Sequence, residues 1–268
     1  MQPHGQLPGV QSSKLTSARP NRKSYIGTSV HEVDAESPEL DKSNKEHFHS
    51  VVAKLLYLSK RTRPDILVAI SFLTSRVLVA TEQDAIKLLR VLKYLFGTRH
   101  MGLVLSAEEA VLVIKIYIDA SYGVHADGKS HTGSNAVLGN ANIVAKSTKQ
   151  KLVAKSSTEA ELIAASDSVS VVIHCRNFLE AQGYSLPPAT VFQDNMSTIS
   201  MIRAGRPSSD RTRHVNIRFF FLHDREKLGE IKVEYLPTKQ MIADILTKPL
   251  QGELFLSLRD QLLNWTSN

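Results

Sequence analysis

Four acidic side chains lie where apolar segments of the sequence end or where helices begin. Asp119 and Asp194 each follow an apolar, strand-like run, and Glu161 and Asp244 lie early in predicted helices. A carboxylate beside a buried strand is costly to desolvate unless it caps a helix or binds a cation. If such acids meet at the ends of strands, they form an oxygen-rich cage suited to Mg²⁺. Two ions about 4 Å apart in that cage would activate water and stabilise the leaving oxygen of a phosphodiester.

Each acid also has a purely structural alternative. Asp194 could cap the helix that follows it, Asp119 could close an Asx turn, and Asp244 could interact with a helix dipole. Glu159 completes a capping-box pattern at the start of its helix, and residues two apart on a helix do not share a face. Glu161 is therefore the helix acid that can turn toward the others. No single acid predicts a metal site, but the set of four in this element order does.

The elements that must position these acids follow from the spacing of apolar residues. Residues 47–97 have the spacing of about three helices, and strand-like runs begin after residue 101. Further along, helices and strands alternate. Strands followed by alternation predict an α/β fold with a mixed sheet and helices on both faces. The first predicted strands cover residues 102–105, 111–118, 134–138 and 143–145.

Composition narrows the class of protein. The chain has 268 residues and a formal net charge of +7, which favours a polyanionic partner. Its one cysteine, Cys175, excludes an internal disulfide framework and a zinc site made of several cysteines. No apolar run is long enough to span a bilayer, so we expect no membrane partner.

The amino-terminal residues differ in composition from the rest. Residues 1–31 contain no acid and several lysines, arginines and prolines, and an acid-rich stretch follows them. We therefore predict that residues 1–46 form a disordered basic tail and an acidic linker. A transit peptide is the alternative, although the prolines and glycines disfavour the amphipathic helix that it would need.

Seven short motifs occur in order: residues 117–121 (YIDAS), 129–133 (KSHTG), 146–150 (KSTKQ), 156–161 (SSTEAE), 193–195 (QDN), 211–214 (RTRH) and 243–250 (ADILTKPL). Together they resemble the ribonuclease H (RNase H) domain of copia-type LTR-retrotransposon Pol polyproteins. Upstream, residues 55–58 (LLYL), 62–66 (TRPDI) and 92–95 (LKYL) resemble the segment that follows the reverse-transcriptase palm in the same polyproteins. The resemblance spans roughly residues 47–263.

This resemblance implies an RNase H-like fold with a mixed five-stranded sheet. It also implies cleavage of the RNA strand of RNA–DNA hybrids by two Mg²⁺ ions, for which Mn²⁺ can substitute. Carried over by motif, Asp119, Glu161, Asp194 and Asp244 are both the catalytic and the metal-binding residues. Residues 47–100 would be the reverse-transcriptase tail, 101–250 the RNase H-like domain and 251–268 a carboxyl-terminal helix or tail. The implied location is the cytoplasmic virus-like particle of the element, or the nucleus.

Two departures from the family pattern limit the inference. Cellular RNases H carry a histidine in the loop before the last acid, whereas residues 236–240 (LPTKQ) contain none. Retroelement enzymes commonly lack it too, so we still expect activity, with slower product release. No Tyr-x-Asp-Asp motif occurs, so the chain cannot polymerise DNA by itself. A reverse-transcriptase domain in a longer polyprotein is therefore an expected partner.

Polar and basic side chains around the acids predict contacts with a nucleic acid, because lysine and arginine supply most of the affinity for phosphate. A solvated face is the alternative for the charged residues, and turn or cap roles are the alternative for the others. The predicted contacts are Ser130, Thr132, Lys146, Lys149, Gln150, Ser157, Asn195, Arg211, Arg213 and His214.

Two rival functions remain open from the sequence. A degenerate fragment could bind a hybrid or structured RNA without cutting it. An integrase or transposase shares the fold, but its third acid is a glutamate on a late helix, whereas the late acid here is Asp244.

Overall fold

Three helices precede the sheet, as the apolar spacing predicts. The computed structural model describes residues 31–106, 112–205 and 216–266, so almost all of the predicted basic tail lies outside the described residues. Helix α1 is Lys42–Arg61, α2 is Leu67–Ser75 and α3 is Glu82–Gly97. Helix α1 begins earlier than residue 47 because the Asp41 side chain accepts the Asn44 N–H and caps it there.

The sheet has five strands in the order β3-β2-β1-β4-β5. Strand β1 pairs antiparallel with β2, and β2 pairs antiparallel with β3. Strands β1, β4 and β5 run parallel to one another. The predicted mixed five-stranded sheet is confirmed. The strands are β1 Ile114–Ser121, β2 His131–Leu138, β3 Ala141–Lys149, β4 Ala189–Gln193 and β5 Ile231–Tyr235.

One predicted strand is wrong. Residues 102–105 have strand-like composition, but they have no regular structure and do not join the sheet. The Val104 N–H donates to the Leu263 carbonyl, and Leu105 is two-thirds exposed. The segment therefore pairs with the end of the last helix, and its local β-propensity is overridden by that contact.

The remaining helices alternate with strands or follow the sheet. They are α4 Ser157–Ala181, α5 Met196–Ala204, α6 Asn216–Lys227 and α7 Gly252–Leu263. The segment Ile242–Leu246, where the sequence predicts a helical start, is a 3₁₀ helix.

Helices cover both faces of the sheet, as predicted. Successive side chains of a strand point to opposite faces. On one face Ile116 and Ile118 join the apolar cluster that contains Leu162 and Ile163 of α4. On the other face Tyr117 packs against a second cluster, formed by α1–α3, the 3₁₀ helix Ile242–Leu246 and α7. The amino-terminal helices and the carboxyl-terminal helix thus share one core beneath the sheet.

A buried ion pair anchors that second core. The Arg63 guanidinium donates to both carboxylate oxygens of Asp65, at 2.9 and 2.8 Å, and to the Thr98 carbonyl at 3.1 Å. The Tyr94 hydroxyl donates to Asp65 at 2.6 Å, and burial, followed by the charge of Asp65, raises the pKa of Tyr94. Because both oxygens of Asp65 are satisfied, its full burial is tolerated.

Candidate active site

Three of the predicted acids converge at one edge of the sheet. Asp119 lies near the end of β1, and Asp194 directly follows β4, its parallel neighbour. Glu161 lies in the second turn of α4, which packs across β1. One carboxylate oxygen from each of the three lies within 4.8 Å of the others. This spacing allows a single cation to contact all three side chains.

Glu161 is held in this cluster by two hydrogen bonds. The Ala120 N–H donates to its carboxylate at 3.1 Å, and the Gln193 side-chain amide donates at 3.2 Å. Burial, together with the charges of Asp119 and Asp194, raises the pKa of Glu161 to about 9. Glu159 faces elsewhere and accepts the Lys155 N–H at 2.9 Å. The structure thus separates these two helix acids in the way that their spacing predicts.

Asp194 does not cap the helix that follows it. The Asn195 side chain does so instead, accepting the Thr198 N–H at 3.0 Å. The carboxylate of Asp194 accepts a hydrogen bond from the Thr238 hydroxyl at 2.8 Å. Thr238 lies in the loop before Asp244, where cellular RNases H are expected to carry a histidine. Thr238 is not among the predicted site residues, because a threonine in a loop gives no sequence signal of such a contact.

Asp244 lies beside the cluster in the 3₁₀ helix Ile242–Leu246. It is 4% exposed and pairs with the Lys248 ammonium at 2.9 Å, and the same ammonium lies 3.4 Å from Asp119. Burial and the charge of Asp119 raise the pKa of Asp244 to about 6, although Lys248 opposes the shift. Lys248 therefore acts as an internal counter-ion between two acids. Lys248 is not among the predicted site residues, although it lies within the 243–250 motif.

A glycine allows the 3₁₀ helix to approach the sheet closely. A Cβ at Gly133, which pairs with Asp119 on β1, would lie 2.6 Å from Thr247 Cγ2 and 2.8 Å from the Ala243 carbonyl oxygen. The Thr247 hydroxyl donates to Asp119, and the Ser121 hydroxyl donates to the Thr247 carbonyl at 3.3 Å. These contacts fix the distance between β1 and the segment that carries Asp244.

The donor set and its charge state fit a hard divalent cation. All ligands offered by Asp119, Glu161 and Asp194 are carboxylate oxygens, which Mg²⁺ prefers. Burial first, and then the charges of the neighbouring acids, raise the pKa values of Glu161 and Asp244, so their ionised forms are poorly stabilised there. A divalent cation would supply the compensation that one lysine does not.

Four of the predicted nucleic-acid contacts line one groove. Thr132, Lys146, Lys149 and Gln150 lie along a groove of about 730 Å³ between strand β3 and helices α1, α2 and α4. Lys60, Lys151 and Arg218 also line it. Basic groups from three parts of the fold therefore surround this groove.

The other predicted contacts have different surroundings. Ser130 is fully buried, and its hydroxyl accepts the Gly123 N–H. Ser157 is exposed at the start of α4, and Asn195 caps α5. The last three, Arg211, Arg213 and His214, lie outside the described residues. Contact of these side chains with a nucleic acid stays a prediction.

Comparison with known proteins identifies homologues. The chain is 31% identical over 217 residues to the retrovirus-related Pol polyprotein from transposon RE1 of Arabidopsis thaliana, a match that covers 80% of the chain. It is 27% identical over 242 residues to a transposon Ty1 Gag-Pol polyprotein of Saccharomyces cerevisiae, which covers 89% of the chain. No family model matches. The chain spans only 15% and 14% of the lengths of these two relatives.

Solved RNase H structures are also similar to the chain. The RNase H1 named LC11, isolated from compost, matches with a TM-score of 0.38 at 14% identity and covers 51% of this chain and 93% of its own. The RNase H1 of Halobacterium salinarum matches with a TM-score of 0.35 at 12% identity and covers 48% of this chain and 89% of its own.

The protein has a mixed α/β fold with a carboxylate cluster at one edge of its five-stranded sheet. The chain is homologous to a segment of the Pol polyproteins of Ty1/copia-type retrotransposons, and the resemblance inferred from the seven motifs is confirmed. Within the described residues, no helix is both long and apolar enough to cross a membrane.

Proposed function

We propose that this chain is the RNase H of a copia-type retroelement and hydrolyses the RNA strand of RNA–DNA hybrids. One observation carries the proposal: Asp119, Glu161 and Asp194 bring their carboxylate oxygens within 4.8 Å of one another beside the ends of two parallel strands. Homology to a retrovirus-related Pol polyprotein supports it, because the motif resemblance to such polyproteins implies an RNase H that acts on RNA–DNA hybrids.

Asp119, Glu161, Asp194 and Asp244 are the residues that would hold two Mg²⁺ ions, or Mn²⁺ in their place. When bound, the ions would activate a water molecule and stabilise charge on the leaving oxygen. The chain supplies the orientation of the ligands. The Ala120 N–H directs Glu161, the Thr238 hydroxyl directs Asp194, and Lys248 balances the charge of Asp119 and Asp244.

The basic groove beside β3 is where we propose that the hybrid or its flanking strand is held. Lys146 and Lys149 would contact phosphates, which dominate the affinity of proteins for nucleic acids. A hybrid would be recognised by its shape and its 2′-hydroxyls rather than by its sequence. This matches an enzyme that must act along a whole transcript.

The test is cleavage of a labelled RNA–DNA hybrid in Mg²⁺. We expect Asp119→Asn and Asp194→Asn each to lower the cleavage rate by more than about 100-fold, beyond the loss that residues supporting a ligand cause. Asp224→Asn is the matched control, because Asp224 is exposed on α6 away from the cluster. Equal cleavage by the wild type and Asp194→Asn would refute the assignment.

A second function, hybrid binding without cleavage, is favoured by one contact. The Lys248 ammonium lies between Asp119 and Asp244, where it competes with a metal ion for the same charge. Tight, salt-sensitive binding of the hybrid with no cleavage over a range of Mg²⁺ concentrations would support this function and refute the first.

The chain matches only a small part of the much longer Pol polyproteins, which suggests a partner domain. We propose that the chain works with a reverse-transcriptase domain, in the cytoplasmic particle of the element or in the nucleus. Stimulation of cleavage by an added reverse-transcriptase domain of a homologous element would test this partnership.

A further inference from the structure

Three histidines from separate parts of the chain meet beside the start of strand β2. His31 precedes α1, His125 lies in the β1–β2 connection, and His131 is the first residue of β2. Their ring centroids are separated by 5.4 Å for His31 and His125, 5.4 Å for His31 and His131, and 5.3 Å for His125 and His131. We propose that these three side chains form a binding site for a borderline transition-metal ion such as Zn²⁺, separate from the carboxylate cluster and independent of the nuclease proposal.

Two of the imidazoles already have the spacing of ligands to one ion. His125 Nε2 and His131 Nδ1 are 3.1 Å apart. Two histidine nitrogens at about 2.0–2.1 Å from a tetrahedral Zn²⁺ lie roughly 3.3 Å from each other. An ion could therefore replace the hydrogen bond between the two rings with little movement of either.

The Ser147 hydroxyl, which is not part of the histidine cluster, orients the ring of His131. His131 Nε2 lies 2.8 Å from the Ser147 hydroxyl oxygen, and His131 is 1% exposed. In the tautomer in which Nε2–H donates to Ser147, Nδ1 carries the lone pair and faces His125. Metal-binding histidines usually donate their other ring N–H to such a partner, which sets both the tautomer and the orientation of the ring.

The ring nitrogens of His31 are the least satisfied polar atoms of this cluster. Both of its ring nitrogens are buried and have no hydrogen-bond partner among the described residues. Burial lowers the pKa of His31, and the Thr247 carbonyl opposes that shift, but this carbonyl does not form a hydrogen bond of normal geometry with the ring. A buried polar atom left unpaired costs free energy, and coordination to an ion would recover it.

Coordination by all three histidines requires one movement. The ligand atoms of the three do not together meet the 4.8 Å spacing that the carboxylates meet, so the His31 ring must turn toward the other two. That rotation breaks no side-chain hydrogen bond of His31, since none is formed. The rotation would change the edge-on packing of His31 against Phe72, whose ring centroid lies 5.8 Å away.

The charge state of the cluster suits a metal ligand. Burial, assisted by the neighbouring histidines, lowers the pKa of His125 to about 4 and that of His131 to about 3. Both rings are therefore neutral near pH 7, which is the form that binds metal ions. His125 is only partly buried, so the site has one side open to solvent. The nearby Asp127 carboxylate is paired with the Lys149 ammonium at 2.8 Å and with the Lys129 ammonium at 3.4 Å.

The test uses the full chain, stripped with EDTA and returned to excess Mg²⁺ so that the carboxylates are occupied. Calorimetric titration with Zn²⁺ should show one ion per chain, and Co²⁺ should give the visible absorption of a nitrogen-ligated ion. His125→Gln and His31→Gln should weaken Zn²⁺ binding by at least about tenfold, the lower bound even for loss of a residue that supports a ligand. His49→Gln, at an exposed position on α1, is the control.

The test uses the half-buried His31 and His125, because His131 is buried and its replacement could unfold the chain. Equal Zn²⁺ affinity in the wild type, His125→Gln and His31→Gln would overturn the proposal. So would Zn²⁺ binding that is lost in Asp119→Asn but kept in His125→Gln, since the ion would then belong to the carboxylates. Both outcomes are measured by Zn²⁺ binding and neither uses cleavage of a hybrid. Failure of this proposal is therefore distinguishable from failure of the nuclease proposal.

Discussion

Replacement of Glu161 by glutamine should stabilise the metal-free protein. The wild-type carboxyl group has its pKa raised from 4.5 to about 9 by burial and by Asp119 and Asp194. A folded-state pKa above the unfolded value means that the wild-type free energy of unfolding is highest below pH 4.5. It falls as the pH rises toward 9, because the unfolded chain can ionise Glu161 and the folded chain cannot.

The magnitude follows from the width of that pH window. Each pH unit above 4.5 costs the folded state about 1.4 kcal/mol, so the penalty at pH 7 is about 3 kcal/mol. Glutamine keeps the acceptor for the Ala120 N–H, but its own amide faces the Gln193 amide and loses a hydrogen bond worth about 1 kcal/mol. The expected gain is about 2 kcal/mol at pH 7, or roughly 4–8 °C in Tm, and close to zero near pH 5.

The assay is thermal unfolding in EDTA at a series of pH values between 5 and 9. Glu159→Gln is the matched control, because Glu159 lies on the same helix, is equally buried and faces away from the cluster. Saturating Mg²⁺ should reverse the order of stabilities, since only the wild type keeps all the carboxylate ligands. Destabilisation by Glu161→Gln at pH 7–8 in EDTA, or a difference that does not change with pH, would refute the reasoning.

Three further substitutions test how the cluster and its support are built. Lys248→Met removes the ammonium that pairs with Asp244. Calorimetry should show the Mg²⁺ affinity rising roughly fivefold at pH 8, because about 1 kcal/mol of repulsion between the ammonium and the metal ion is lost. Weaker Mg²⁺ binding would contradict this. Gly133→Ala forces a Cβ into the 3₁₀ helix, and denaturant unfolding should show a loss of about 1–3 kcal/mol; an unchanged midpoint would show that the helix moves freely. Arg63→Met leaves Asp65 buried without its ion-pair partner. Denaturant unfolding should show the free energy of unfolding falling by about 3–5 kcal/mol. A fall of less than about 1 kcal/mol would contradict this.

The convergence of the acids was predictable because it depends on topology. Asp119 and Asp194 follow apolar strands, and parallel neighbours bring their carboxyl ends to one edge of a sheet. The choice of Glu161 over Glu159 uses a helix cap and the helical period. Ser156 caps the helix through the Glu159 N–H as predicted, although the Glu159 carboxylate accepts the Lys155 N–H rather than that of Ser156, and Glu161 alone of the two acids joins the cluster. These features are local or follow from strand order, so the residue pattern contains them.

The features that sequence analysis missed depend on contacts between distant segments. Lys248 pairs with Asp119 across 129 positions of the sequence, and Thr238 contacts Asp194 across 44. Residue type alone does not predict such pairs. The strand predicted at 102–105 failed for the same reason, because the Val104 N–H finds its acceptor on Leu263, at the end of the chain. The three-histidine cluster likewise joins residue 31 to the β1–β2 connection.

The helices beneath the sheet help to define the site. Asp244 lies on a 3₁₀ helix whose apolar residues, Ile245 and Leu246 among them, are buried in the same core as α1–α3 and α7. The opposite side of that short helix meets β2 at Gly133. The position of Asp244 is therefore set by the amino-terminal helices through a shared core, whereas Asp119, Glu161 and Asp194 are set by the sheet and α4. Helices α1–α3 thus help to fix the fourth carboxylate relative to the other three.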